Sequence, residues 1–409
     1  MIYKKIIKKL YSNLYRIRKI FKKPILMKNI DNNNSDYLLI TNLYPSKENI
    51  YQNAFIHSKI KAYREHGLQI DIFKISAEPY IFKYEYEDID IYSIDYETFS
   101  HILEKSNYKI IMVHFLNNEV WNIISKYEVT SKIFIWAHGF EIQSWERRKH
   151  NFITPLEQKT AKEISDKKQS FWYKVLKSLN GNVKIIFVSQ YLADSVMKDL
   201  NLVLNKSQYH VIHNFINTQL FTYLPKHVNQ RKKILSIRPY ANANYGNDLS
   251  VKAIIELSDK PFFDELEFRL IGDGVLFDEI VKPIKKFKNV FIEKRFLSQD
   301  AIANLHKEYG IFLCPSRMDT QGVSRDEAMS SGLVPITNNI AAIPEFTDNN
   351  CAILASENNY HELAKGISMI YKNPKIFQKM SKEAANRVRK QSDYIYTIGK
   401  ELELLSEAT

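Results

Sequence analysis

The chain has 409 residues, of which 45% are hydrophobic and 25% are charged, which excludes a mostly disordered protein and allows two large domains. Two cysteines exclude a disulfide scaffold and favour a reduced, cytosolic setting, and without a cysteine cluster no structural zinc site is expected. The net charge of +12 is concentrated in residues 1–30, which carry ten Lys and Arg and no acid. Because a nucleic-acid-binding body needs a basic face of its own, no nucleic-acid partner is expected.

The basic N-terminal segment also has an apolar stripe with helical spacing. Its members recur at intervals of three and four residues until Pro24, at Tyr3, Ile7, Leu10, Leu14, Ile17 and Phe21. Such a helix is typical of a segment that lies on an anionic membrane surface, which we favour for residues 1–24 over packing on the protein's own body or a coiled coil. No run of about 18 apolar residues occurs, so no membrane-spanning helix is predicted.

Short β-rich apolar runs alternate with helical stretches through the first half of the chain. Strands are predicted at 37–42, 69–74, 109–115, 132–137, 184–188 and 209–213, and helices near 52–66, 118–127, 155–179 and 190–200. This alternation is typical of a parallel sheet covered by helices, a doubly wound α/β domain. A polar stretch with a proline at 223–233 interrupts the alternation and predicts a linker.

The alternation then restarts. Strands are predicted at 234–238, 267–271, 290–293, 311–314, 334–337 and 352–355, and long amphipathic helices at 360–373 and 376–390. Two Rossmann-like domains are therefore expected to face each other across a cleft, and sheets of this kind bind ligands at the carboxyl ends of their strands. The predicted units are the basic helix 1–30, the domains 31–226 and 227–385, and a C-terminal helix, 386–409, that returns to the first domain.

The stretch with the most chemical information is 311–346, which reads IFLCPSRMDTQGVSRDEAMSSGLVPITNNIAAIPEF. It predicts a strand, a loop, a short helix, a turn and a second strand. Gly322 allows the backbone to turn tightly before the helix. The free amides of Val323 and Ser324 at the helix N-terminus then form a suitable site for a phosphate.

Two carboxylates flank this predicted anion site. Asp319 precedes it, and Glu327 lies about one turn inside the helix. Because carboxylates accept hydrogen bonds from sugar hydroxyls, acids beside a phosphate site favour a sugar nucleotide as ligand. On these physical grounds alone, an ordinary loop followed by a solvated helix explains the pattern equally well.

The same segment resembles the signature of family-four retaining glycosyltransferases, which have the GT-B fold of two Rossmann-like domains. In that signature an acid, seven further residues, Glu-Ala-Met and a nearby Gly precede a Pro-Glu pair, and here they are Asp319, Glu327-Ala328-Met329, Gly332 and Pro344-Glu345. The resemblance covers the chain from about residue 37 onward, strongly in the second half and weakly in the first. It implies transfer of a hexose-type sugar from a nucleoside diphosphate sugar, above all a UDP-sugar, with neither metal nor cofactor.

Further landmarks of the family fall elsewhere in the chain. Arg238 ends the first strand of the second half, where the family places an arginine on the donor phosphates. The sequence Leu270-Ile271-Gly272-Asp273-Gly274 resembles the family's strand followed by Gly-Asp-Gly. In the first half, His138 in HGFE resembles a histidine that faces the donor sugar, and VIHN at 211–214 resembles the motif before the interdomain link.

The resemblance assigns a role to each of these residues. The implied catalytic residues are Arg238, Asp319, Glu327 and His138, and the implied donor-binding residues are Gly272, Gly274, Tyr245, Lys294, Arg295, Gly322, Val323 and Ser324. The arginine and the helix amides would stabilise the charge that develops on the leaving phosphate. Glu327 would bind the ribose hydroxyls, Asp319 the sugar ring, and the backbone near residues 294–295 the base.

The chain departs from the family pattern at several positions. The first acid of the signature is Asp319 rather than Glu, and the loop 44–55 after the first strand has no glycine. Tyr245 stands where the family has a lysine, so one positive charge is missing, and Arg317 and Arg325 are candidates to replace it. The family's Gly-Gly before Pro-Glu is Ala341-Ala342.

Other interpretations remain. Asp88-Ile89-Asp90 matches the Asp-x-Asp of metal-dependent glycosyltransferases, but its alternating surroundings at 84–97 favour one exposed acidic strand. A nucleotide-sugar epimerase on the same fold, or a catalytically impaired membrane-associated binding or assembly protein, would also fit. The expected setting is the inner face of a bacterial cell membrane, with a lipid-linked or glycan acceptor for capsule, lipopolysaccharide or another surface polysaccharide.

Overall fold

A parallel sheet in each half of the chain forms the framework of the computed structural model, which describes residues 35–50, 52–77 and 81–407. The strands of the first sheet are β1 Tyr37–Thr41, β2 Ile70–Ser76, β3 Phe82–Tyr86, β4 Ile89–Asp95, β5 Ile110–His114, β6 Lys132–Ala137, β7 Val183–Phe187 and β8 Tyr209–Val211. Their spatial order is β3-β4-β2-β1-β5-β6-β7-β8, and β3 pairs antiparallel with β4 while the other neighbours are parallel.

Helices cover both faces of this sheet, so its central strands are apolar along most of their length. The helices are α1 Ala54–Glu65, α2 Tyr96–Glu104, α3 Asn118–Ile124, α4 Pro155–Lys177 and α5 Gln190–Asp199. Every residue of β5 is buried, for example. Helix α4 begins with a capping box between Thr154 and Glu157 and has Pro155 in its first turn, which fixes its start.

The strands of the second sheet are β9 Lys233–Ile237, β10 Glu267–Gly272, β11 Val290–Lys294, β12 Ile311–Leu313, β13 Val334–Asn338 and β14 Ile353–Ala355. They are parallel and lie in the order β11-β10-β9-β12-β13-β14. The helices that follow are α6 Asn247–Leu257, α7 Phe277–Val281, α8 Gln299–Glu308, α9 Val323–Ser330, α10 Ile343–Phe346, α11 Tyr360–Lys372, α12 Pro374–Gln391 and α13 Tyr394–Ser406. The strands and helices predicted in the two alternating halves are thus confirmed, with ends within two residues of those predicted except for the helix near 118–127, which ends at Ile124 and continues as a 3-10 turn over Ser125–Tyr127.

The acidic run at 84–97 was predicted as one exposed strand, and this is wrong. It belongs to a hairpin of β3 and β4, because Glu87 and Asp88 both adopt left-handed conformations, with φ of 46° and 59°, and reverse the chain in two residues. Asp88 therefore lies in the turn, while the Asp90 carboxylate pairs with the Lys83 ammonium at 2.7 Å. No cluster of three metal-binding side chains occurs among the described residues.

The chain passes between the domains along two adjacent segments. The Ile216 amide donates to the Ser392 carbonyl at 2.7 Å, and the Thr218 hydroxyl donates to the Asp393 carboxylate at 2.7 Å. Phe221 is already buried among second-domain side chains, so the first passage precedes the stretch 223–233 that was predicted as linker. The second passage, at 392–393, lies beyond residue 386, where the C-terminal unit was predicted to begin, because α12 continues to Gln391.

Helix α13 packs on the first domain through a buried polar group. The Glu401 carboxylate pairs with the Lys59 ammonium, and both side chains are 1% exposed. The same carboxylate accepts hydrogen bonds from the Tyr63 hydroxyl at 2.6 Å and the Trp136 indole at 3.1 Å. Apolar residues of α13 surround this group and join the core behind the first sheet.

The predicted basic helix, whether taken as 1–24 or as the unit 1–30, lies outside the described residues. Within the described part of the chain, no helix is long and apolar enough to span a bilayer.

Candidate functional site

The carboxyl edges of the two sheets meet at the loops that follow β6 and β12. The Thr320 hydroxyl donates to the His138 carbonyl at 2.8 Å across this boundary. Gln321 and Asn214 exchange two hydrogen bonds nearby, from the Asn214 amide to the Gln321 side chain at 2.7 Å and from that side chain back to the Asn214 carbonyl at 2.8 Å. The cleft predicted at the strand ends is therefore closed by direct contacts between the domains.

Arg238 follows β9 and lies buried beside the start of α9. Its guanidinium donates to the Ser316 hydroxyl at 2.8 Å and to the Ser324 hydroxyl at 3.2 Å, and its Nε atom has no partner in the described part of the molecule. Helix α9 begins after Gly322, whose φ is 96°, and no side chain caps its first turn. The structure thus brings the arginine together with the free amides at Val323 and Ser324, an arrangement suited to a phosphate.

The Gly-Asp-Gly turn packs directly behind the arginine. A Cβ atom at Gly272 would lie 1.9 Å from the Arg238 carbonyl oxygen, so only glycine allows β9 and β10 to end this close together. Gly274 follows one residue beyond Asp273, whose carboxylate accepts its amide at 2.7 Å. A Cβ atom at Gly274 would lie 2.4 Å from the Tyr240 carbonyl carbon, so the two glycines let this turn pack against the backbone of Arg238 and Tyr240.

Tyr245 does not replace the charge of the family's lysine. Its ring lies 5.1 Å from the Arg238 guanidinium, a cation–π contact that orients the arginine. Burial raises the pKa of Tyr245, although the positive charge of Arg238 opposes that rise. The residue therefore presents a neutral hydroxyl and an aromatic face.

The two predicted carboxylates lie on either side of the start of α9 in different surroundings. Glu327 is buried, and this burial raises its pKa to about 8 even though a hydrogen bond from Gln299 lowers it. Asp319 is half-buried, and its carboxylate accepts the Gln321 amide at 3.2 Å. In the absence of a ligand, Glu327 is therefore protonated at neutral pH.

His138 contributes its backbone to the interdomain contact and its ring to an aromatic cluster. Its Nε2 atom lies 2.9 Å from Nδ1 of His114, and rings of Phe55 and Phe115 lie 4.8 and 4.7 Å away. Burial, with the nearby charge of Lys59, lowers the pKa of His138 to about 3. The imidazole is therefore neutral, and one of its nitrogens is already engaged.

The other predicted cations are held by carboxylates of their own domain. Lys294 pairs with Asp278 at 2.6 Å and Arg295 pairs with Glu293, although the Arg295 backbone amide donates to the Gly272 carbonyl at 3.1 Å. Arg317 and Arg325 were candidates to replace the missing lysine. The former is bound by Asp248 through two contacts of 2.7 Å and the latter by Asp326 at 2.7 Å, so neither is free to do so.

Arg148 reaches the cleft from the first domain, and sequence reasoning did not find it. It lies in the 3-10 helix Trp145–Asn151, and its guanidinium has no carboxylate within ion-pair distance among the described residues. Burial lowers its pKa, while the charges of Glu141 and Asp319 act in the opposite direction. Two adjacent arginines, Arg147 and Arg148, could have indicated an anion site in the sequence. Only the structure shows which of them is held by a carboxylate, since Arg147 is bound to Asp199 at 2.6 Å.

A cavity of about 430 Å³ lies between the domains on the side of α8. The first domain lines it with the loop after β1, including Pro45 and Ile50, and the second domain with Leu297 and Gln299. Because Gln299 also hydrogen-bonds Glu327, this cavity adjoins the carboxyl that was predicted to bind ribose. The loop without glycines therefore takes part in the cleft.

Residues 225–387 match the family described as glycosyl transferases group 1. This match covers the second domain. The match includes the Arg238 site, the Gly-Asp-Gly turn and the whole segment 311–346, so the resemblance of the sequence to GT-B glycosyltransferases is confirmed. No curated protein sequence matches the chain.

Solved structures share the fold of both domains, including the part of the chain outside the group 1 match. A sucrose-phosphate synthase from Thermosynechococcus elongatus is 15% identical, with a TM-score of 0.70 over 91% of this chain and 98% of that one. HepE from Anabaena, solved in complex with UDP and glucose, is 12% identical, with a TM-score of 0.66 over 91% and 100%. A glycosyltransferase from Rickettsia africae is 15% identical, with a TM-score of 0.63 over 92% and 99%. At these identities the likeness concerns the fold, which is GT-B.

Proposed function

We propose that this protein transfers a hexose-type sugar from a nucleoside diphosphate sugar, with retention of the anomeric configuration, to a lipid-linked or glycan acceptor. The observation that carries the proposal is the convergence of the Arg238 guanidinium and the uncapped N-terminus of α9. A guanidinium and backbone amides, both held in place, then point at the same position, where the charge of a leaving diphosphate would be stabilised. A UDP-sugar is the first donor to test, since HepE, which has the same fold, was solved with UDP.

The chemistry proposed for this point is stabilisation of a leaving group. As the bond between the sugar and the phosphate breaks, negative charge collects on the β-phosphate, where Arg238 and the amides of Val323 and Ser324 act on it without rearranging. Positive side chains and a helix terminus thus do what a metal ion does in other transferases. The family resemblance implies that the departing phosphate takes the acceptor's proton.

Each carboxyl has a separate part in this proposal. Glu327 binds the ribose hydroxyls and Asp319 the hydroxyls of the transferred sugar, since carboxylates accept from such donors. His138, being neutral, contacts the sugar by hydrogen bonding rather than by charge. The contacts of Thr320 and Gln321 with the first domain support a closed state that excludes water and so limits hydrolysis of the donor.

The proposed setting follows from the N-terminal sequence. Residues 1–30 carry ten basic residues and no acid, which favours attachment to an anionic membrane surface. We place the protein at the inner face of a bacterial membrane, where lipid-linked precursors of capsule, lipopolysaccharide or similar polysaccharides are extended.

The test begins with ligands and ends with products. UDP, GDP, ADP and CMP are compared for their ability to raise the melting temperature, since a ligand that binds only the folded state stabilises it. The donor class so identified is then supplied as labelled nucleotide sugars with membrane lipid extract. Transfer of label to lipid or glycan supports the proposal, whereas no shift with any nucleotide contradicts it.

Binding without transfer is the alternative that one observation favours. Tyr245 leaves the diphosphate site with one charge fewer than the family pattern, and no neighbouring arginine of the second domain replaces it. A protein that binds nucleotide sugars but neither transfers nor hydrolyses them would fulfil that alternative. An epimerase would instead convert one nucleotide sugar into another without any acceptor.

A further inference from the structure

A groove of about 520 Å³ runs along the first domain, formed by residues between 140 and 168. Its walls are mainly aromatic and aliphatic, with Phe140, Trp145, Phe152, Leu156 and Ile164 among them. The volume lies within the range of about 300–1,000 Å³ that small-molecule sites occupy. We call it the apolar groove.

The apolar groove is bordered by large side chains that no other part of the described chain covers. Phe140 is 67% exposed, Leu156 73% and Ile164 51%, and Ile153 next to them is 87% exposed. Contiguous exposed apolar surface of this kind marks a binding site rather than an ordinary surface. The exposure is not due to a frayed helix end, because the capping box of Thr154 and Glu157 fixes the start of α4.

Two cations stand over the aromatic ring at one end of the groove. The Lys168 ammonium lies 4.1 Å and the Arg148 guanidinium 5.8 Å from the centre of the Phe140 ring. Neither has a carboxylate within ion-pair distance among the described residues. Glu141 accepts a hydrogen bond from the His138 amide, and its charge opposes the lowering of the pKa of Arg148 and of Lys168 by burial, without forming an ion pair with either among the described residues.

This cationic end opens at the cleft. Phe140 follows His138 by two residues, and a Cβ atom at Gly139 would lie 2.5 Å from the Thr320 side chain and 3.4 Å from the Arg148 guanidinium. The same guanidinium is close enough to Asp319 for the carboxylate to influence its pKa. A molecule that fills the groove therefore has its polar end beside the residues proposed to hold the donor sugar.

We propose that the apolar groove binds the single hydrocarbon chain of the lipid-linked acceptor and that Arg148 and Lys168 bind the phosphate at its end. An apolar trough that ends in unpaired cations matches an amphipathic anion of this kind in both shape and charge. The inference rests on the proposed function and deepens it, because it makes a sugar carried on a lipid phosphate, rather than a free glycan, the acceptor. The acceptor's reactive hydroxyl then emerges where the Asp319 loop meets His138.

Farnesyl phosphate serves as the probe, and its binding to the full chain is measured directly. Leu156→Glu and Ile164→Glu each place a charge in the groove on an exposed helix face. Each should raise the Kd for farnesyl phosphate about tenfold or more. A tenfold change corresponds to roughly half of the binding free energy that one buried aliphatic side chain contributes. Tyr173→Glu is the matched control, since Tyr173 is exposed on the same helix outside the groove. It should change binding less than about twofold.

The role of the two cations is tested by comparing a lipid with and without a phosphate. Farnesol should bind at least about tenfold more weakly than farnesyl phosphate, and the double variant Arg148→Gln, Lys168→Gln should abolish that difference. Inorganic phosphate at the same concentration should not compete. Equal binding of farnesol and farnesyl phosphate to the unaltered protein would overturn the role of the two cations.

A thiol in the groove distinguishes a lipid from coverage by protein. Both natural cysteines are buried, so Leu156→Cys provides an accessible thiol for maleimide in the full chain. The thiol should react readily and be protected by farnesyl phosphate. A thiol that is unreactive without lipid would mean that another segment of the chain or a second copy occupies the groove, and would overturn the proposal.

Nucleotide binding distinguishes a failure of the groove proposal from a failure of the proposed function. The rise in melting temperature with UDP, or with whichever nucleotide binds, should be the same in Leu156→Glu, Ile164→Glu and the unaltered chain. Loss of the nucleotide effect in all proteins refutes the donor site and leaves the groove result standing. Unchanged farnesyl phosphate binding in both groove variants, with the nucleotide effect intact, refutes the groove alone.

Discussion

The two domains line the cleft in contrasting ways. The second domain presents polar groups that are buried and fixed, such as Arg238 between Ser316 and Ser324, and these lie inside the group 1 match. The first domain presents an open surface where Phe140 and Leu156 are exposed and Arg148 has no carboxylate partner within the described part of the chain. Under the proposed function, rigid and pre-oriented donors of the second domain meet the diphosphate, and the open surface of the first domain meets the acceptor.

The first domain also has a rigid polar centre, the buried group around Glu401 behind the first sheet, and breaking it should lower the stability of the protein. Glu401→Ala leaves the buried Lys59 charge unpaired, which should lower the free energy of unfolding by about 3–5 kcal/mol. Glu403→Ala, an exposed position on the same helix, is the control and should have little effect. Chemical denaturation measures both. A loss below about 1 kcal/mol for Glu401→Ala would contradict the description of this group as a tie between α13 and the first domain.

Substitution of Arg238 tests whether the fixed polar groups of the second domain act on the donor diphosphate. Arg238→Ala should lower kcat/KM for transfer by about 10²–10³-fold, as removal of a fixed donor to a developing anion does elsewhere. Arg238→Lys keeps the charge but not the planar fork and should recover only part of the loss. The matched control is Arg269→Ala on the neighbouring strand, where the guanidinium pairs with Glu293 instead. Full activity in Arg238→Ala would remove the proposed diphosphate site.

The pH dependence of nucleotide binding sharpens the role of Glu327. Its pKa of about 8 means that the carboxyl is protonated at neutral pH, and only the ionised form accepts hydrogen bonds from both ribose hydroxyls. Affinity for the nucleoside diphosphate should therefore rise toward pH 8, by about tenfold per pH unit at most, and Glu327→Gln should lack this rise. Titration calorimetry of the unaltered chain and of Glu327→Gln from pH 6 to 9 gives the difference between their affinities at each pH. Ionisation of the nucleotide affects both proteins equally and so cancels in this difference. Parallel pH profiles would show that Glu327 does not contact the ribose.

The same raised pKa has a consequence for folding. A carboxyl that is protonated in the folded state but ionised in the unfolded state contributes stability fully below the unfolded pKa near 4.5. That contribution is lost as the pH rises through about 8. The stability of Glu327→Gln relative to the unaltered chain should therefore increase across this pH window.

Ala341 offers the smallest effect. Its φ is 50°, a left-handed conformation that disfavours a Cβ atom, where the family has glycine. Ala341→Gly should therefore stabilise the second domain by about 0.5–1 kcal/mol. Ala342→Gly is the matched control, because Ala342 has a φ of −78° and glycine there should destabilise by a similar amount. Thermal unfolding of the two variants should shift in opposite directions, and a shift in the same direction would refute the assignment of strain to Ala341.

Much of the donor site was predictable because its signals are local. A strand, a glycine and a short helix in succession predict an anion site, since each depends on neighbouring residues only. Gly322 was found in this way, whereas Arg238 and Gly272 came from the family pattern, and the structure places Arg238 beside Ser324 and Gly272 against the Arg238 carbonyl. The family pattern contributed the roles of Asp319 and Glu327, which physical reasoning alone left open.

The hairpin at 82–95 shows where local signals misled. Alternation of charged and apolar residues continues through both strands, so periodicity does not mark the turn. The chain reverses through the left-handed conformations of Glu87 and Asp88. Neither residue is a glycine, so the sequence gives no usual indication of a turn at this position. The order of strands, with β3 at the edge, likewise depends on pairing that the sequence does not express.

The amino-acid sequence by itself determined the alternation of strands and helices and the glycine turn before α9, because these depend on residue type and short spacing. Only the tertiary structure decided which cations are free. Arg147, Arg317 and Arg325 are equivalent to Arg148 as residue types, yet each of the three has a carboxylate partner. A charge is available to a ligand only where folding leaves it without a partner, and partners are brought together from distant positions in the chain. The groove beside Arg148 arises for the same reason, since the exposure of apolar side chains depends on what packs against them.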